Sequence, residues 1–296
     1  MTAFGSISAM GYLSIRTHDL TASITNAVEV LGLRLLENTG TKAYLSASDT
    51  AHEVVYVQDS YDGLDHFGLV ADNLDELQAI KQKVEERGYP IIAHQPIEEN
   101  IEHGFAFIGP GGFTWHIYVG IRYYDYRGGS FGPDRYGHIN YKVPNTIEQV
   151  KFLIDVFDFR ISDRIGQDDA FFLRCNTDHH GIAVVKGEAS LHHHAWQTQS
   201  IVDLGRLGDR LARRGERLVW GPVRHGAGHN IAAYYREPSG GVIELYTDME
   251  QIYDKERDMI RWEADDLYWV NQWDGQVPSN MMIYGTTPVA RELARA

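Results

Sequence analysis

Histidine is the residue type here with the most chemistry to offer. The chain has 14 histidines, and eight of them lie between His138 and His229. Three are consecutive, in the stretch SLHHHAWQTQ that runs from Ser190 to Gln199. A neutral imidazole binds divalent metals and also titrates near pH 7, so this concentration points to a metal centre or to proton transfer. If the run is a strand, neighbouring side chains face opposite sides and the three cannot chelate one ion together. Either His193 faces a metal alone, or His192 and His194 face it as a pair.

The elements that carry these residues repeat. Four segments each open on an alternating, strand-like stretch: MGYLSIRTH from Met10, LDHFGLVAD from Leu64, YGHINYKVP from Tyr136 and LHHHAWQTQ from Leu191. A helical pattern follows each time. The second segment has an apolar stripe of Leu74, Leu77, Ile80 and Val84 with Gly88 as a stop signal, and the fourth has Leu204, Leu207 and Leu211. In the third, Thr146 and Gln149 read as a capping box before Val150, Leu153 and Val156. Short strand-like runs come next, and the stretch from Phe107 to Tyr118 lines up with that from Tyr235 to Tyr246 across a Pro/Gly turn. The expected fold is α+β: four repeated β-α-β-β-β units paired into two similar domains, each an incomplete barrel-like sheet around a cavity. Residues 1–122 and 134–248 form the two domains, joined by a Gly-rich linker, and residues 249–296 form a tail expected to act as a lid or an oligomer contact.

Aligning the four units puts His193 level with His138, His66 and Tyr12, so His138 and His193 are expected to face one cavity. Glu244 adds a third ligand. A carboxylate within an otherwise apolar strand is costly unless it is paired or bound to a cation. Any one of these residues alone reads more simply as a hydrogen-bonded core residue. Together, at equivalent positions, His138, His193 and Glu244 make the two-imidazole, one-carboxylate set of non-haem Fe(II) oxygenases.

Composition narrows the partners. A formal net charge of −14 with no basic stretch argues against nucleic acid or an anionic membrane. The single Cys175 excludes an internal disulfide and fits a reducing cytoplasm. No apolar run is long enough to span a bilayer, and residues 1–20 lack the pattern of a secretory leader.

The stretch from His229 to Glu244, with Tyr234 five residues after His229, a Pro238-Ser-Gly240 turn and Glu244 ten residues after Tyr234, resembles the signature of type I extradiol ring-cleaving dioxygenases of the vicinal oxygen chelate superfamily. Tyr136-Gly-His138-Ile, His179-His180-Gly-Ile-Ala and Leu191-His-His193 support it, and the resemblance covers about residues 8 to 248. The nearest pattern is that of two-domain catechol and dihydroxybiphenyl dioxygenases. The resemblance implies that His138, His193 and Glu244 bind Fe(II), although Mn(II) accepts the same ligands. It implies His180 as the catalytic acid–base, with Tyr234 and His225 hydrogen-bonding the substrate oxygens and His229 supporting the site. Substrates would be a catechol and dioxygen, and the product a muconic semialdehyde-type compound. It further implies a cytoplasmic homo-oligomer whose N-terminal domain, with Tyr12, His66 and His116 at the three ligand positions, is metal-free. His179 and Asn140 receive no role. Gly226-Ala-Gly228 departs from relatives that take biaryl diols, which leaves the ring substituents open. The alternatives are a metal-dependent isomerase or epimerase of the same superfamily, or a ligand-sequestering module.

Overall fold

The computed structural model describes residues 4–125 and 131–291; residues 1–3, 292–296 and the part of the expected linker at 126–130 lie outside it. Four β-α-β-β-β units follow one another. The first runs β1 (Ile7–Thr17), α1 (Leu20–Asn26), β2 (Arg34–Asn38), β3 (Lys42–Ser46) and β4 (Val54–Gln58). The second runs β5 (Gly63–Ala71), α2 (Leu74–Glu86), β6 (Ile91–Ala93), β7 (Ile101–Ile108) and β8 (Thr114–Ile121). The third runs β9 (Arg135–Val143), α3 (Thr146–Phe157), β10 (Arg160–Ile165), β11 (Ala170–Arg174) and β12 (Ile182–Lys186). The fourth runs β13 (Ser190–Gln197), α4 (Ile201–Arg213), β14 (Trp220–Arg224), β15 (Ile231–Arg236) and β16 (Val242–Thr247).

Units pair in twos through their first strands. β1 lies antiparallel to β5, and each also pairs in parallel with the last strand of its own unit, β4 or β8. The second half repeats this with β9 against β13 and with β12 and β16 outside them. The edges of each sheet do not meet, so both remain open barrels. A further strand from the tail, β17 (Ile260–Trp262), adds in parallel to β10 and extends the second sheet.

The helices bury the stripes read from sequence. Leu77, Ile80 and Val84 of α2 and Leu204, Leu207 and Leu211 of α4 are buried, whereas Leu74 at the start of α2 is exposed. The expected capping box at Thr146 is displaced by one residue. Asn145 caps α3 by accepting from the Glu148 N–H at 3.1 Å, while the Thr146 hydroxyl donates to the Asp168 carbonyl at 2.7 Å. The Ser200 N–H instead donates to Asp203 Oδ2 at 3.2 Å, in a capping box at the start of α4. Leu207→Ala, at a site with no exposure, should cost about 2–5 kcal/mol in urea unfolding without moving the site residues.

One aromatic core joins the halves: Phe67 and Tyr141 are 5.7 Å apart between ring centroids, and Trp115 and Phe152 are 5.8 Å apart. The duplication extends to close approaches. A side chain on Gly11 would strike the Tyr118 hydroxyl, and one on Gly137 would strike the Tyr246 hydroxyl. Each of these glycines precedes the residue that its unit aims at the cavity, Tyr12 or His138. Among the described residues, no helix is long and apolar enough to cross a membrane.

Candidate metal centre

His138 on β9, His193 on β13 and Glu244 on β16 meet inside the second sheet. Their ligand atoms all lie within 4.8 Å of one another, and all three side chains are buried. Glu244 Oε2 is 3.2 Å from His138 Nε2 and 3.0 Å from His193 Nε2. An ion with bonds of about 2.0–2.2 Å places neighbouring ligand atoms about 3 Å apart, so the spacing suits a first-row metal. Burial alone would raise the Glu244 carboxyl, but His138 and His193 hold it well below the usual range. It is therefore an anion, as a ligand must be. Its other oxygen, Oε1, accepts from Asn230 Nδ2 at 3.0 Å, which leaves Oε2 for a cation.

The three consecutive histidines do not follow simple alternation. His194 points away, with Nε2 3.4 Å from Glu237 Oε1 and Nδ1 accepting from Trp196 Nε1 at 2.9 Å. His192 does not point away. The pairing of β13 with β9 slips between Leu191 and His193, and this irregularity brings the His192 ring beside that of His193, with 2.7 Å between their Nδ1 atoms. His192 Nε2 donates to the Met281 carbonyl at 2.8 Å. Burial lowers the pKa of His192 to about 3, so it is neutral and its Nδ1 can only accept. His193 must then carry its proton on Nδ1, and its Nε2 lone pair faces Glu244.

His180 sits on the opposite wall, its ring centroid 4.4 Å from that of His138. Burial, and then the neighbouring imidazoles of His138 and His179, hold its pKa well below the usual value. Tyr234 on β15 and His225 after β14 form a third group, with 2.7 Å between the Tyr234 hydroxyl and His225 Nε2. His225 Nδ1 donates to the Val270 carbonyl at 2.6 Å, and Trp220 stacks on Tyr234 at 5.4 Å. Burial, then the Glu244 charge, pushes the Tyr234 hydroxyl well above its usual pKa, so it stays protonated. Tyr235 faces the other way and contacts Asn26 of the first half. His229 has a positive φ of 57° in the turn before β15, and its carbonyl accepts from Arg224.

His138, His180, His192, His193, His225, Tyr234 and Glu244 line one open-mouthed cavity, with Phe172, Trp220 and Ala227 in its walls. The tail supplies Trp269, Val270, Val277, Met281 and Met282. The tail was expected as a lid or an oligomer contact, but the tail residues that line the cavity, together with Asn230, Asn140 and His192, were not identified from the sequence. Only the position of His192 beside a candidate ligand could have flagged it.

The first half has the same three positions in other chemistry. The Tyr12 hydroxyl lies 2.7 Å from His66 Nε2 and 2.6 Å from His116 Nδ1, and His66 Nδ1 is 2.7 Å from Asp65 Oδ2. Burial raises the pKa of Tyr12 well above 10, so the trio is a hydrogen-bonded cluster around a neutral phenol.

A family model described as Glyoxalase/Bleomycin resistance protein/Dioxygenase superfamily matches residues 9–117 and 135–245, one stretch in each half. The chain is similar to the metapyrocatechase of Geobacillus stearothermophilus, at 24% identity over 98% of this chain and 96% of that protein. Among solved structures, the homoprotocatechuate 2,3-dioxygenase of Brevibacterium fuscum superposes with a TM-score of 0.90 at 21% identity, covering 96% of this chain and 94% of that one. The Mn(II)-bound glyoxalase of Novosphingobium aromaticivorans superposes with a TM-score of 0.84 at 27% identity, covering 92% of each.

Proposed function

This chain belongs to the Glyoxalase/Bleomycin resistance protein/Dioxygenase superfamily, and from that premise we propose that it is an Fe(II)-dependent extradiol dioxygenase. The observation that carries the reading is the meeting of two imidazoles and a carboxylate beneath a cavity that also holds His180, Tyr234 and His225. When bound, Fe(II) supplies Lewis acidity toward two adjacent diol oxygens and a path for electrons from the ring to dioxygen. His138, His193 and Glu244 would hold the ion, and the cavity they line would take the substrates.

His180 Nε2 accepts a diol proton and later returns one, and its neutral state suits it to begin as the acceptor. The Tyr234–His225 pair presents a hydroxyl beside a ring nitrogen, ready to bond a substrate oxygen and hold the ring in one orientation. Phe172, Trp220, Trp269 and Met281 keep bulk water from the reacting atoms. The ring bond next to one hydroxyl opens, both atoms of dioxygen enter the product, and a muconic semialdehyde-type compound results.

Catechol added in air to the Fe(II)-loaded protein should give a yellow product with one dioxygen consumed per ring. Iron-loaded protein that consumes no dioxygen across a panel of catechols would sink the reading and favour the isomerase alternative. Chelation should abolish the activity, and Fe(II) should restore it better than Mn(II) does.

Among the described residues, the cavity lining includes no Lys or Arg. A ring carboxylate would be buried there without a counter-charge, at a cost in free energy. We expect kcat/KM for methyl-substituted or unsubstituted catechol to exceed that for dihydroxyphenylacetate by at least about tenfold, the factor for roughly 1.4 kcal/mol.

The proposal also includes a cytoplasmic homo-oligomer. The exposed Tyr253, Tyr268, Trp273 and Ile283 of the tail are the surface that would supply the contact. Light scattering on the eluting protein tests it.

A further inference from the structure

Behind His180 lies a buried chain of polar groups that the proposed reaction has not used. His180 Nδ1 is 3.0 Å from His179 Nδ1, and His179 Nε2 is 3.0 Å from Asp163 Oδ1. Asp163, His179 and His180 are 1%, 0% and 3% exposed, so water cannot stand in for any of these partners. Asp163 is itself held from the tail. The Trp262 indole N–H donates to its Oδ2 at 2.7 Å, and Arg257 Nη2 lies 3.4 Å from its Oδ1. The pairing of β17 with β10 sets Ile260 opposite Asp163 and Trp262 opposite Ile165, two residues on, from where the indole reaches Asp163. Gly228, with φ of +86°, lets the loop before β15 lie across both rings, where a Cβ would come within 3.0 Å of His179 Nδ1.

The order of donors and acceptors along this chain sets a tautomer. A carboxylate only accepts, so His179 Nε2 carries hydrogen toward Asp163, and a neutral His179 then offers a lone pair at Nδ1. The hydrogen between the two histidines therefore belongs to His180 Nδ1. The other ring nitrogen of His180, Nε2, is left as a bare acceptor on the cavity side.

We infer that His179 and Asp163 are positioning residues, which fix the proton of His180 on Nδ1 so that Nε2 is the atom offered to the substrate. This rests on the reading of His180 as the proton acceptor of the proposed reaction. The same logic operates wherever a buried carboxylate orients a catalytic imidazole, and reversing the tautomer there costs turnover while leaving the geometry intact.

The test uses the full chain with 15N-labelled histidine, loaded with diamagnetic Zn(II), and reads the imidazole nitrogen shifts at neutral pH. Wild type should show His180 protonated on Nδ1. In Asp163→Asn, the amide oxygen can still accept from Trp262 while its N–H₂ donates to His179, so the whole chain reverses and the His180 proton moves to Nε2. With Fe(II), Asp163→Asn and His179→Leu should keep stoichiometric metal and a KM for catechol within about threefold, while kcat falls at least about tenfold. His179→Gln, which can accept from His180 and donate to Asp163, should recover most of that loss. A wild-type His180 protonated on Nε2 would overturn the inference. So would an Asp163→Asn protein with the wild-type tautomer, or one with the wild-type kcat. If no catechol is cleaved, the functional reading fails, and the nitrogen shifts still decide the tautomer.

Discussion

Glu244→Gln should yield a protein that folds, holds no metal after dialysis against a chelator, and consumes no dioxygen with catechol. The carboxylate supplies the one negative charge among the three converging side chains, and Oε2 is the atom common to both imidazoles. A neutral amide keeps the shape but removes that charge, and its N–H₂ presents hydrogen where a cation needs a lone pair. His193→Ala should lose metal and activity in the same way. The neighbouring variants separate ligands from their supports. Asn230→Ala frees Glu244 Oε1, and His192→Ala frees His193 Nδ1, so each should weaken metal binding about 10–100-fold without abolishing it. His194→Ala should leave metal and turnover unchanged and lower stability, because His194 packs against Glu237 and Trp196. Metal analysis with oxygen uptake reads all five. Stoichiometric metal and native turnover in Glu244→Gln would remove the centre from this position.

His180→Ala separates binding from chemistry. The ring lies beside His138 but its only hydrogen bond among those described runs to His179, so removing it takes nothing from the ligand set. Metal content should stay stoichiometric, and anaerobic titration should show catechol binding within a few-fold of wild type. Turnover should fall about 10²–10⁴-fold, the usual range for loss of a positioned acid–base group. An apo protein from this variant would mean that His180 is a ligand and not a proton acceptor.

What the sequence disclosed depended on range. The fourfold unit was legible because first strands alternate, helices carry three-residue stripes and Pro/Gly turns recur, all within a few residues. Glu244 stood out because a charge inside an apolar strand has few innocent explanations. His192 was misplaced because alternation holds only for a regular strand, and the slipped register on β13 depends on how β9 packs. The hydrogen-bond partners of His192, His225 and Asp163 are the Met281 and Val270 carbonyls and the Trp262 indole, which are 89, 45 and 99 residues away along the chain. The tail belongs to no repeat, so no other unit revealed where it lies. Its strand β17 is three residues long, too short for any periodicity to announce it.

The placement of those three tail residues bears on how the protein matures. The first sheet, every strand of the second but β17, and every candidate ligand precede residue 249 and leave the ribosome before the segment that orients His192, His225 and Asp163. The residues that would hold an ion are thus all synthesised before the segment that lines the mouth of the cavity. The last segment made is therefore the one that brings Trp269, Met281 and Met282 to the cavity and gives His192, His225 and Asp163 their partners.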